Sequence, residues 1–293
     1  MSKALGQPDR ALAGKGRRSA LPSMINWTVF LLLLAGALSM SAPFVWMIST
    51  SLKPAAEIFR YPPTLFTEQP QFGNYIRLFE VVPFARMMLN SLIVSISVTL
   101  LQLLVCSMAA FAFARLRFRG RETLFLLYLS ALMIPSQVTL IPNFILVRNL
   151  GWIDSYAALI LPFAFSSFGT FLLRQAFLTV PRELEEAARI DGATYAQVFW
   201  RVMLPLARPA LGALGIFTFV AQWNNFLWPL ITTTKPEMNT LTVGLSSLRG
   251  QYNTDWGLLM TGSVLAILPI FIVFIVGNRS FIKGITSGGF GGR

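Results

Sequence analysis

Long apolar runs alternate with polar connections along the chain, and six of the runs approach the roughly 20 residues that cross a bilayer core as a helix. They fall at about residues 27–48, 88–114, 123–141, 156–173, 209–230 and 258–276. The runs are continuously apolar and lack the alternation of barrel strands, which excludes a transmembrane β-barrel. The pattern predicts an all-α membrane protein of six transmembrane helices. Pro135 and Pro162 sit inside the third and fourth spans, and Pro142 closes the third. Such prolines are tolerated where neighbouring helices satisfy the freed backbone groups. Residues 24–277 are thus read as the transmembrane domain. Residues 1–23 are polar and basic, without an apolar period, and are expected to be a disordered tail. The next run is too long for a signal-peptide core and lacks a small-residue cleavage site after it. A glycine-rich tail, 278–293, ends the chain.

Composition agrees with this picture. Apolar residues make up 55% and charged residues 12%, at a mean hydropathy of +0.62, whereas soluble domains carry about twice that charged fraction. The net charge of +12 lies in the connections, which a membrane explains better than a nucleic acid does. With the N-terminus inside, the inner segments hold 17 Lys and Arg and the outer ones 7, while acids divide six and six. Positive charge decides topology, so both termini are expected in the cytoplasm. There is no histidine and a single cysteine, Cys106. An intrachain disulfide is therefore impossible, and with one thiol and no imidazole a thiolate or imidazole metal site is not expected. No phosphate-binding loop of the Walker type is present. The chain is expected to be no enzyme, to hold no cofactor or metal, and to draw energy from elsewhere.

One polar interruption stands out, PRELEEAARIDGATYAQVFWRVMLP at residues 181–205, within a cytoplasmic loop of 181–208. Pro181 suits a first helical position, and Glu183, Glu185 and Glu186 lie near the positive end of that helix's dipole. Leu184, Ala187 and Ala188 recur at helical spacing and form a small apolar face. Gly192 suits the left-handed residue that ends a helix. Thr194-Tyr195-Ala196-Gln197 has the form of a capping box, so a second helix is expected at once, running to about Leu204 and stopped by Pro205. An amphipathic segment lying on the membrane is the alternative. Such a segment wants Lys, Arg and bulky apolar residues, whereas the first helix carries glutamates beside alanines.

Glu186-Ala187-Ala188, then Asp191-Gly192, then Val202-Met203-Leu204-Pro205 resembles the EAA motif of permease subunits in binding-protein-dependent ABC importers, with Val202 in place of the usual Ile. Ser51-Leu52-Lys53-Pro54, Asn74-Tyr75, Asn90-Ser91, Ile134-Pro135, Ile141-Pro142 and Trp223-Asn224 look like the carbohydrate-uptake branch. Within it the chain is similar to the second permease of the maltose-type heterodimer. The resemblance implies a type I ABC importer permease fold in a bacterial or archaeal cytoplasmic membrane. It implies a second, homologous permease, an ATPase homodimer or heterodimer that binds ATP and Mg, and an extracellular or periplasmic solute-binding protein. Glu186, Ala187 and Ala188 would sit in a cleft of the ATPase, Gly192 would turn the chain back, and Leu204 and Pro205 would seat it on the spans. The C-terminal sequence departs from the family's usual ending.

For the solute, Gln222, Trp223, Asn224, Asn225 and Trp228 form the most polar intramembrane cluster. Amides and indoles suit sugar hydroxyls and ring faces, yet polar groups in spans also act as interhelical glue; solute pathway, gating and packing stay open. Ser166, Ser167 and Thr170 are weaker candidates. The basic loop Arg115 to Arg121 reads as a topology signal. The expected solute is a sugar or oligosaccharide, with glycerol phosphate as the close competitor. An ion-coupled transporter would place ionisable groups at mid-membrane, and here every acid lies in a connection or at a span edge. A membrane enzyme would need a nucleophile with a base, and none is visible.

Overall fold

The computed structural model describes residues 23–250 and 254–289, with side chains over 27–250 and 254–277. The tail expected over 1–23 lies, apart from Ser23, outside the described residues. The chain divides into two units, Met1–Trp46 and Met47–Arg293. The first contributes most of helix α1 (Ser23–Ser51), which continues through Pro43. Every described side chain from Trp27 to Trp46 is exposed, with Leu32 and Leu33 each at 69%. An apolar helix presents such a surface when hydrocarbon solvates it.

In the second unit, α2 (Ala55–Ile58) and α3 (Gly73–Val81) lead to α4 (Phe84–Arg115), a helix of 32 residues. Helix α4 enters all three buried apolar clusters and is the spine of the unit. Its buried face carries small and polar residues, which let neighbouring backbones approach and bond across. Asn90 Nδ2 donates to the carbonyls of Glu237 (2.8 Å) and Asn239 (2.9 Å), and its Oδ1 accepts from Tyr156 at 2.7 Å. Ser91 Oγ accepts from the Leu241 amide at 2.8 Å. Gln102 Nε2 donates to the Phe163 carbonyl at 2.8 Å while its Oε1 accepts from Thr218 at 3.0 Å.

The third run is not one straight span. Helix α5 (Arg121–Ser130) ends in a 3-10 turn at Met133, and α6 (Ser136–Asn149) departs at 96°. Pro135 has no amide proton to continue the ladder and holds Ile134 extended. Pro142 lies inside α6 rather than closing the span. In the fourth run, α7 (Tyr156–Ile160) bends by 45° through a turn containing Pro162 into α8 (Ser167–Leu178). Ser166 caps α8, accepting from the Gly169 amide at 3.1 Å.

Helices α9 (Arg182–Ile190), α10 (Tyr195–Val198) and α11 (Leu204–Leu206) make up the polar interruption. Helix α12 (Arg208–Trp223) follows, and α13 (Leu227–Thr232) after a break at Asn224, inside a run expected to be continuous to residue 230. Helix α14 (Leu241–Ser247) lies in the next connection, and α15 (Trp256–Gly289) closes the unit. Its backbone stays helical beyond residue 276, into the tail expected from 278. Among the described residues there is no strand, only an isolated bridge between Arg249 and Thr254. Three helices are long and apolar enough to cross a membrane, or up to six if each bent pair is one span.

Candidate functional site

The polar interruption folds as its local chemistry demands. Helix α9 begins at Arg182, with Pro181 as its extended N-cap rather than its first residue. At the other end Gly192 is left-handed, φ +85°. Its amide donates to the Arg189 carbonyl at 3.0 Å, and the Ala193 amide donates to Ala188 at 2.9 Å. These are the paired bonds of a Schellman ending. Asp191 is the C-cap residue itself. The capping box is complete: Thr194 Oγ1 accepts from the Gln197 amide at 3.3 Å, and the Thr194 amide donates to Gln197 Oε1 at 2.7 Å. Between them the Arg189 guanidinium stacks over the Tyr195 ring, 4.1 Å from its centroid.

Pro205 does not stop the second helix. The chain passes through a π-helical turn over Phe199–Met203 and continues to Leu206. A widened turn ahead of a proline makes room for the ring and absorbs the missing amide proton. The change of direction comes at Ala207, where α12 leaves at 78°. Val198, Phe199 and Met203 are buried with Phe111, Phe177 and Leu214, so this arm rests on the ends of α4, α8 and α12; Leu204 packs against the same cluster.

The faces of α9 sort differently from expectation. Ala188 turns inward against that cluster, while Glu186 and Ala187 are exposed and Leu184 is 46% exposed. Ile190, which sequence reasoning passed over, is 86% exposed. An isoleucine so bare, one turn from Ala187 and nearly two from Leu184, marks an apolar surface on a helix that is otherwise charged.

Arg115 is also more than a topology signal. The last residue of α4, its side chain is 3% exposed. One guanidinium nitrogen donates to the carbonyls of Phe177 and Val180, at and just past the end of α8. Another stands 3.8 Å from Glu185 on α9. These carbonyls belong to a helix C-terminus, which lacks intrahelical donors and favours a cation. One buried arginine therefore ties α4, α8 and α9 together.

The intramembrane cluster divides in two. Trp223 is buried, stacked on Phe219, and its indole donates to the Ala266 carbonyl at 3.0 Å. Asn224 bonds back to Val220 at 2.9 Å. Both serve packing. Replacing Trp223 by Phe should cost about 1 kcal/mol of stability, a hydrogen bond's worth, measurable as a lowered thermal midpoint with solute preference unchanged. Asn225 and Trp228 instead line a cavity of about 180 Å³, together with Ser136, Gln137, Thr139 and Asn143. Gln222 reaches it indirectly, its Oε1 accepting from Asn225 at 3.3 Å. The Trp228 indole donates to Ala158 at 2.9 Å, which fixes the ring as a wall. The breaks after Pro135, at Pro162 and after Asn224 all open onto this space. Sequence reasoning missed the α6 residues, although Ser136, Thr139 and Asn143 recur at helical spacing. Of the weaker candidates, Thr170 meets the Tyr128 hydroxyl at 3.0 Å and Ser167 donates to the Tyr128 carbonyl at 3.2 Å.

Among the described residues no group of three or more His, Cys, Asp or Glu could hold a metal ion. Asp154 accepts bonds from the amides of Thr234 and Lys235, just past α13, and from the Thr234 hydroxyl. Slight burial pushes its carboxyl upward, but these bonds outweigh it and hold the group below its ordinary value.

Comparison with known proteins bears on all of this. Residues 102–286 match the family described as binding-protein-dependent transport system inner membrane component. The arabinooligosaccharides transport system permease protein AraQ of Bacillus subtilis (strain 168) is 40% identical over 250 residues, 84% of this chain and 89% of that protein. The sn-glycerol-3-phosphate transport system permease protein UgpE of Escherichia coli (strain K12) is 38% identical over 205 residues, 69% and 73% of the two chains. In fold, the chain is similar to one from a crystal structure of a bacterial ABC transporter involved in the import of the acidic polysaccharide alginate. The TM-score there is 0.80 at 24% identity, over 88% of this chain and 97% of that one.

Proposed function

Because the chain belongs to the family of binding-protein-dependent transport inner membrane components and is a permease subunit of an ABC importer, we propose that it forms half of the path for a saccharide and is driven through α9. The observation that carries this reading is the fixed posture of α9. It ends in a Schellman turn at Gly192, is fastened to α4 and α8 by Arg115, and bares Leu184, Ala187 and Ile190 to a partner. A separate ATPase dimer, holding ATP and Mg, receives that surface, with Glu186 and Asp191 at its edge. When ATP closes the ATPase, α9 moves with it. Arg115 and the buried cluster beneath pass the motion to α4, α8 and α12. Coupling of this kind needs a rigid arm bound in both states.

Both termini and α9 face the cytoplasm, in keeping with the excess of Lys and Arg on that side. Six spans are reached if α5–α6, α7–α8 and the pair of α10–α11 with α12 are each one broken span. Discontinuous helices whose breaks line a cavity are tolerated in a bilayer and are where transporters hold their cargo. The amides of Gln137, Asn143 and Asn225 suit sugar hydroxyls, and the Trp228 wall suits a ring face. A cavity of about 180 Å³ is below the several hundred Å³ of a complete ligand pocket. A second, homologous permease supplies the rest of the path, and a solute-binding protein delivers cargo from outside.

The test is uptake by the assembled transporter in vesicles loaded with ATP. Labelled oligosaccharides should enter only when ATP and the solute-binding protein are both present. Gln137→Ala with Asn143→Ala should raise the solute concentration for half-maximal uptake roughly thirtyfold, two lost hydrogen bonds at about 1 kcal/mol each, with ATP hydrolysis intact. Uptake that tracks a proton or sodium gradient instead would overturn the reading. Glycerol phosphate belongs in the same panel, since the UgpE relative is nearly as similar; preference for it would replace the saccharide while leaving the importer.

A further inference from the structure

Beside the docking arm lies a concavity that the transport reading does not use. It is lined by Arg117, Arg119, Arg121 and Arg182 around Gly120 and the first turn of α5. The one carboxylate there, Glu122, is already engaged. Arg121 donates to it at 2.8 Å, and Arg174 reaches it from α8 at 3.0 Å. Arg117, Arg119 and Arg182 make no ion pair among the described residues. Arg117, Arg121 and Arg182 also border the adjoining recess with Glu185 and Glu186, but within the concavity itself four arginines stand against the one carboxylate, an excess of positive charge that an anion would relieve. The surroundings say which anion. Phe118, between two of the arginines, is 40% exposed, and α5 leaves the concavity with Leu124, Leu126 and Leu127 bare at 50%, 66% and 63%. An aromatic flanked by arginines where an apolar helix begins is the pattern of a membrane–water interface. Phosphate oxygens match guanidinium forks two at a time.

We propose that Arg117, Arg119, Arg121 and Arg182 hold the phosphate of an anionic phospholipid headgroup, with its acyl chains along the exposed leucines of α5. Basic pockets against spanning helices on the cytoplasmic side bind such headgroups. The assignment rests on reading α5 as part of a spanning segment. Its test reads bound lipid and not transport, so the two readings fail separately.

The full chain, purified from membranes containing phosphatidylglycerol, is examined by native mass spectrometry beside Arg117→Gln/Arg119→Gln/Arg182→Gln. Arg249→Gln, an exposed arginine elsewhere, is the control. Wild type and control should retain phosphatidylglycerol in preference to phosphatidylcholine. The triple variant should lose that preference by roughly a hundredfold, from the contribution of three basic residues at an anionic surface. Arg119→Gln alone, at an exposed position, gives the same reading at smaller amplitude should the triple variant fold poorly. Equal loss in the control would show unspecific charge attraction and overturn the site. So would inorganic phosphate that stabilises lipid-free protein as well as phosphatidylglycerol does, which would make the ligand a free anion. Loss of ATPase binding by the triple variant with its phosphatidylglycerol preference intact would hand the groove to the protein partner, again overturning it.

Discussion

Replacing Gly192 with proline should abolish solute uptake while leaving the chain inserted at its normal level. Gly192 sits at φ +85°, and a pyrrolidine ring holds φ near −65°. Proline also removes the amide that donates to Arg189. The Schellman ending must therefore open, and α9 loses its fixed angle to α10 and the π turn. Gly192→Ala separates geometry from bulk. A Cβ at this site would meet nothing within 4 Å, so alanine adds only the left-handed strain of about 1–2 kcal/mol. Its uptake should be reduced but measurable. The assay pairs uptake in ATP-loaded vesicles with recovery of the ATPase on the purified chain. Normal uptake by the proline variant would remove the elbow from the coupling path.

Arg115→Met should uncouple the transporter and destabilise it. Methionine fills much of the space but takes the guanidinium donor from the Phe177 and Val180 carbonyls and leaves Glu185 without its cationic partner. Breaking a buried ionic contact by removing one partner costs about 3 kcal/mol or more. The thermal midpoint should fall by several degrees, and solute carried per ATP hydrolysed should fall with it, because α9 is no longer fastened to α4. Arg115→Lys keeps the charge without the fork and should recover stability better than coupling. If the methionine variant transported at the wild-type ratio, the tie would be merely structural.

The legible parts of this chain are those that neighbours in sequence decide. Continuous apolar runs announced long apolar helices, three of them long enough to cross a bilayer, since a bilayer asks only for length and hydropathy. Gly192, Thr194 and Gln197 announced the elbow and its cap, because those bonds close within five residues. The EAA-like spacing located the arm. Less legible was the path of the third and fifth runs. Pro135 is visible as a proline, but whether a proline bends a span by 96° or is absorbed depends on what lies beside it. Pro43 and Pro142, both inside helices, show the other outcome.

Which way a side chain faces was likewise decided by packing. Trp223 and Trp228 read alike in sequence, yet one stacks in the core on Phe219 and the other walls the cavity. Ser136, Thr139 and Asn143 looked like scattered polarity in an apolar run until the break at Pro135 aimed them at Asn225. Arg115 and Arg119 both belong to a basic loop. Only the end of α8, arriving from some sixty residues away, makes the first a buried tie and leaves the second free for an anion. The sequence by itself determined the all-helical apolar character, the charge asymmetry and the elbow, because each rests on local propensity or on solvent. The tertiary structure alone decided the cavity, the tie and the bare face of α9, because each is a meeting of elements whose separation in the chain carries no signal of their distance in space.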